Sequence, residues 1–425
     1  MKKPERLSAT EAVRLIAARE LNSETLLRAC LERIAEREPQ VCAWAHLDAD
    51  SALARAREID RTGAQGLLAG LPLAVKDVID TADMPTQYNS PIYRGFRPKA
   101  DAACVALAQR AGAIVLGKSV TTEFASRMPG PTRNPHNLAH TPGGSSSGTA
   151  AAVADFMVPF GFGTQTGGSV IRPAAFCGVV GYKPTYGTIN AAGLKHLSES
   201  LDTIGVMGRT VADCALLVHA VSSRGLPDFD AALPGPRIAL CRTSRWSNAS
   251  PETHALLERA ASVLSARGAG VRDFALPQHF DRVYDDQLVI AGFEAARAFA
   301  WEMNTHPEGL SEHMRQHVRK HLDTPHAEYV EALRHARECR AEFARATADF
   351  DVLLTPSAPG CAPEGIGSTG NSLFNRNWTT LHVPCVTIPV PAEAAALPLG
   401  LQLVGRHDED ERVLLAAEWV RRALG

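Results

Sequence analysis

Residues 103–119 read ACVALAQRAGAIVLGKS, and this stretch decides the fold class. The first half carries the alanine and leucine of a helix. Gly112 breaks it, and Ile114, Val115 and Leu116 then read as a strand. The same alternation continues on both sides. Ser8-Ala9-Thr10-Glu11 is a capping box ahead of AVRLIAAREL, and a second helix runs through ETLLRACLERIAERE. GLPLAVKDVID, 70–80, reads as a strand, and TAAAVADFMV as a helix. Further on, helices are expected at TVADCALLVHAV, from Ser250-Pro251 onward, and near 326–349. Strands follow at VLLTP, CVTIPV and LGLQLVG, and a last helix at ERVLLAAEWVRRAL. Alternating elements of this kind imply an α/β fold: a central mixed β-sheet flanked by helices on both faces.

The whole of 1–425 is expected to be one domain, with an N-terminal helical segment over about 1–60 and a variable, more charged helical region over about 225–350. Apolar content of 45% and charged content of 21% belong to a soluble globular chain. A net charge of −2 gives no reason to expect a nucleic-acid partner. No apolar run is long enough for a membrane span, and the start lacks the apolar core of a signal peptide. Nine scattered cysteines without a C-x-x-C pair read as small buried hydrophobes in a reducing cytoplasm.

Two motif matches fail on context. GAIVLGKS, 112–119, fits the letters of a phosphate-binding P-loop. That loop must offer backbone amides between a strand and a helix, whereas Ile114–Leu116 is itself the strand. GSSSG, 144–148, fits a nucleophile elbow centred on Ser146. An elbow follows an apolar strand, and here a polar loop, PTRNPHNLAHTPG, precedes it.

The remaining constellation is GTQTGGSVIRPAA, 163–175. Gly167 and Gly168 free the backbone just before Ser169, so that successive amides can converge on one point. An oxyanion hole needs that arrangement beside a nucleophile; a helix-opening turn needs the same glycines for packing alone. No histidine lies nearby to act as base. Lys76 ends the apolar strand LPLAVK, where burial would lower its pKa and free the amine to accept a proton. A lysine there can also pack its stem and send its head to solvent.

AVKD, TPGGSSSGTAAAVA, GTQTGGSVIRPAAFCGVVGYKPT and SLDTIGVMGRT together resemble the amidase signature family, most specifically over about 130–185. Fainter similarity continues through DVLLTPSAP and LPLGLQLVGR. The resemblance implies a Ser-cisSer-Lys triad: Ser169 as nucleophile, Ser145 as bridging serine behind a cis Gly144–Ser145 bond, and Lys76 as base. It implies an oxyanion hole from the amides of Thr166, Gly167 and Gly168, an acyl-enzyme, and no metal or organic cofactor. The TQTGGSVIR form departs from the commoner family pattern: Gln165 replaces an aspartate, and arginine stands one position later. That form resembles the malonamidase-like branch, which places Gly144 and Arg172 in the substrate-binding set and implies carboxylate-bearing, malonamate-like amides. A structural salt bridge is the other reading of Arg172. The expected partners are a small-molecule amide and a second copy in a homodimer, with no nucleic acid and no membrane. The alternatives are the amidase subunit of a glutamyl-tRNA amidotransferase-type complex, and an inactive binding protein on the same fold.

Overall fold

A computed structural model describes residues 2–63, 65–231, 234–390 and 397–425. Its strands are β1 (Trp44–Leu47), β2 (Pro72–Lys76), β3 (Ile114–Ser119), β4 (Phe160–Gln165), β5 (Val180–Lys183) and β6 (Thr203–Gly208), then β7 (Arg237–Cys241), β8 (Gly270–Phe274), β9 (Val352–Pro356), β10 (Cys385–Val390) and β11 (Leu399–Val404). They form one eleven-stranded sheet in the order β1-β3-β2-β4-β6-β5-β10-β11-β9-β7-β8. β2 runs parallel to both β3 and β4, and β7 runs parallel to β8 and β9. The pairs β4–β6, β5–β6, β10–β5, β10–β11 and β11–β9 are antiparallel. The sheet is therefore mixed, as expected.

Helices cover both faces. On one face the helices Ala9–Ala17, Ala103–Arg110, Val211–Val221, Pro251–Ala266 and Asp410–Leu424 contribute to the largest apolar core. On the other, Ser23–Val41, Ala49–Thr62, Ser147–Ala154 and Ile171–Cys177 close a second core. The capping box at Ser8 is formed: its side chain accepts from the Glu11 amide and Glu11 accepts from the Ser8 amide. All cysteines are free, and all but Cys42 and Cys361 are buried.

Two local features set the site. The first is strand alternation. Leu73 and Val75 of β2 face the first core, and Ala74 faces the second, so Lys76 shares its face with Ala74. The second is the fastening of the helix Ser147–Ala154 across that face. Thr149 Oγ1 donates to the Phe162 carbonyl, and Ser146 Oγ exchanges bonds with both backbone groups of Thr164. Any side chain at Gly148 would meet the Ala43 carbonyl at 2.2 Å and the Val120 nitrogen at 2.3 Å, so only glycine lets the helix lie this close. The P-loop letters are confirmed as β3, with Lys118 buried and bonded to the Ile79 carbonyl and the Thr86 hydroxyl.

Candidate active site

The site lies at the carboxyl ends of the parallel neighbours β2 and β4, the usual place for chemistry on an open α/β sheet. Lys76 ends β2 and is fully buried. Its Nζ stands 2.7 Å from Ser145 Oγ and 2.7 Å from Thr164 Oγ1 on β4. Burial pushes its pKa from 10.5 down to about 7, and the Arg172 charge adds to the fall while Asp202 opposes it. Asp77 is turned away and sits 3.7 Å from Lys118, so it does not neutralise Lys76.

Ser145 lies two residues ahead of the fastened helix, next to its N-cap Ser146, and the Gly144–Ser145 peptide bond is cis. Ser169 reaches the same spot through its backbone: the Ser146 amide donates to the Ser169 carbonyl at 3.4 Å. Ser169 is 9% exposed, and its hydroxyl has no protein hydrogen-bond partner among the described residues. The structure thus closes the Lys76–Ser145 contact and leaves the Ser169 hydroxyl free.

Around residues 166–169 the backbone polarity is sorted. The Thr166 carbonyl accepts from Gln287 Nε2, the Gly167 carbonyl from Thr379 Oγ1, and the Gly168 carbonyl from the Arg172 amide. Gln165 Oε1 accepts from the amides of Val170 and Ile171, while its Nε2 donates to Thr379 Oγ1. The four amides of 166–169 have no protein acceptor among the described residues. The carbonyls are tied away and the N–H groups are left available, the polarity that stabilises an anion. A side chain at Gly168 would meet Asn375 Oδ1 at 2.4 Å, which explains the second glycine. Thr166 Oγ1 donates to Asp202.

Arg172 departs from the salt-bridge expectation. Its Nη2 donates to the Gly144 carbonyl at 2.6 Å and to Thr369 Oγ1 at 3.2 Å. No carboxylate pairs with it among the described residues, so the salt-bridge reading fails. Its hold on Gly144 places it against the segment that carries Ser145. Arg172→Ala is therefore expected to lower kcat for anionic and neutral amides alike. A loss confined to the anionic amide in parallel kcat/KM measurements would return Arg172 to carboxylate binding.

Several participants carry no sequence signal. Thr164 and Gln165 lie inside the quoted stretch, but only tertiary contacts reveal their partners. Gln287, Thr369, Arg376 and Thr379 come from 225–380, where no motif marks them.

The fold and the matches define an amidohydrolase, an enzyme that cleaves C–N bonds of amides. The chain belongs to the amidase family, whose model matches residues 25–414. The A subunit of the glutamyl-tRNA(Gln) amidotransferase of Roseiflexus sp. (strain RS-1) is 34% identical over 98% of this chain and 96% of that protein. The native peptide amidase of Stenotrophomonas maltophilia superposes with a TM-score of 0.85 at 29% identity, over 99% of this chain and 97% of that one. A chain from a vestigial protein complex, tied to the origins of an s-triazine catabolic enzyme, gives a TM-score of 0.90 at 26% identity over 99% of each chain. These findings correct the partner expectation. A relative of nearly full coverage is a subunit of an enzyme named for glutamyl-tRNA(Gln), so a homodimer confined to a small-molecule amide, with nucleic acid excluded on net charge, no longer stands. Charge summed over a chain says nothing about a nucleic acid engaged through another subunit. Among the described residues no helix is long and apolar enough to cross a membrane.

Proposed function

We propose that this chain is the amide-opening, ammonia-releasing subunit of an amidotransferase-type assembly, working through an acyl-enzyme on Ser169. The observation that carries the reading is the near full-length likeness to the amidase component of an amidotransferase, held together with a buried, deprotonatable Lys76 in contact with Ser145.

In this mechanism neutral Lys76 accepts the Ser145 proton as Ser145 accepts the proton of Ser169, because one hydroxyl can donate and accept at once. Ser169 Oγ attacks the amide carbon, and the carbonyl electrons move to oxygen, where the amides of 166–169 meet them. The C–N bond then breaks, and the proton returns through Ser145 to the departing nitrogen, which leaves as ammonia. Water, activated by the same relay, opens the ester and restores Ser169. Thr164 keeps the Lys76 amine aimed at Ser145.

The likeness to a peptide amidase favours a second reading, a free-standing hydrolase. One experiment separates the two. Affinity-purified from its own cells, the chain is expected to carry further subunits in fixed ratio and to amidate glutamyl-tRNA(Gln) at the expense of an amide donor. A chain that comes off alone, releases ammonia at full rate and leaves glutamyl-tRNA(Gln) unchanged would defeat the assembly reading in favour of the free hydrolase.

A further inference from the structure

We propose that Asp202, backed by His196, is a positioning residue of the relay: it fixes the Thr166 side chain at the head of the 166–169 segment, and its charge sets the pH at which Lys76 becomes a base. The inference rests on the reading of Lys76 as that base. Asp202 immediately precedes β6, which pairs with β4, and β4 pairs with β2 on its other side. Thr164 of β4 touches the Lys76 amine, and Thr166, two residues on, donates to Asp202. Two residues of extended chain span roughly 7 Å. The amine and the carboxylate therefore hold neighbouring hydroxyls of one segment.

The Asp202 carboxylate is buried, and its two oxygens have separate duties. One takes the Thr166 hydroxyl. The other accepts from the Leu197 amide at 2.8 Å and the Ser198 amide at 3.1 Å, and faces His196 Nδ1 at 3.3 Å. Glu294 fastens the far side of the same turn, accepting from the Ser198 hydroxyl at 2.6 Å, the Ser200 amide at 3.0 Å and the Tyr329 hydroxyl at 2.8 Å. Thr166 is held at both ends, because its carbonyl accepts from Gln287 Nε2, and Gln287 Oε1 accepts from Arg376 Nη1 at 2.5 Å.

The same carboxylate bears on the base. Burial brings Lys76 down to about 7; of the charges around it, Asp202 works against the fall and Arg172 with it. The hydrogen bond to Asp202 raises the His196 pKa, burial opposes, and Glu199 and Glu294 raise it further. Tyr186 also feels Asp202, but burial and the acids push its phenol up from 10, away from neutral pH. Asp202 is thus shared between a buried amine and a half-exposed imidazole. A protonated His196 answers part of its charge and leaves less to hold the proton on Lys76. Removing the Asp202 charge releases that proton more readily, and removing the imidazolium retains it.

The test uses the full chain, with any subunits that accompany it. It reads the pH profile of kcat/KM on an uncharged fluorogenic amide, which reports the free enzyme. Asp202→Asn keeps an acceptor for Thr166 and removes the charge, so the midpoint is expected to fall by about one unit. In His196→Gln it is expected to rise by about half a unit. Thr166→Val breaks the tie and keeps both charges, so kcat/KM is expected to fall about tenfold with the midpoint in place. A merely structural Asp202 would depress the rate and leave the midpoint alone, and that result overturns the proposal. So does a midpoint that Thr166→Val moves as far as Asp202→Asn does. Should Asp202→Asn not fold, His196→Gln decides: a midpoint that stays or falls there overturns the proposal. A wild-type rate that does not rise through neutral pH sinks the Lys76 reading and this inference with it. A wild-type rise that neither charge variant moves sinks this inference alone.

Discussion

Lys76→Met is expected to abolish turnover and at the same time to change how stability depends on pH. The loss of rate follows from the relay: without an amine to receive it, the Ser169 proton has no path, and general-base loss alone is about 10²- to 10⁴-fold. In wild type the rate is expected to rise with pH and level off above about 7, where Lys76 is neutral. The stability argument has a definite sign. The folded pKa is depressed to about 7 from 10.5, so between these values the unfolded chain holds a proton that the folded chain has released. Folding stability then rises with pH across that window and loses this increment as pH falls towards 7. A shift of this size corresponds to roughly 5 kcal/mol. Methionine fills the space without the titration, although Ser145 and Thr164 each lose a partner at about 1–3 kcal/mol. Urea unfolding of both proteins at pH 7 and pH 10 measures the difference. Wild type should gain more stability between the two pH values than Lys76→Met, which keeps only the smaller contribution of groups such as the buried Lys118. Parallel behaviour, or a variant that keeps its rate, would refute the buried neutral base.

Ser169→Ala is expected to remove activity on the order of 10⁶-fold, the scale seen when a nucleophile that works as a unit with its base is deleted. Its stability should hardly move, within about 0.5 kcal/mol, because the Ser169 hydroxyl bonds to no protein group among the described residues. Combining it with Lys76→Met should cost no further rate, since parts of one relay are not additive. Single-turnover assays with a fluorogenic amide measure all three variants. Residual acyl-enzyme in Ser169→Ala, trapped by acid quench and mass spectrometry, would move the nucleophile elsewhere.

Legibility divided along the chain for physical reasons. Where side-chain period and breakers coincide, as in ACVALAQRAGAIVLGKS and GLPLAVKDVID, the elements fall where expected: helix Ala103–Arg110, β3 and β2. β4 was not legible as a strand. FGFGTQ holds two glycines, Gly161 and Gly163, required by the close approach of Ala74 and Ser146, and glycine carries no strand signal. The Lys76–Ser145 contact was expected from the resemblance, and residue type supplied the reason for a buried amine. The contact of Arg172 with the Gly144 carbonyl was not legible, because sequence fixes its place on a helix but not what its fork meets. Gln287 and Thr379 were beyond reach, since the contacts that give them meaning span more than a hundred residues.

The carbonyls of Thr166 and Gly167 are fastened by Gln287 and Thr379, which stand on helices outside the signature segment. This couples two properties that engineers like to treat as separate modules. Grafting another relative's helices onto the sheet to broaden substrate range would also release the Thr166 and Gly167 carbonyls and with them the orientation of the 166–169 backbone. Evolution of new preferences in this chain is accordingly constrained to compensated pairs of changes rather than free exchange of the outer segments.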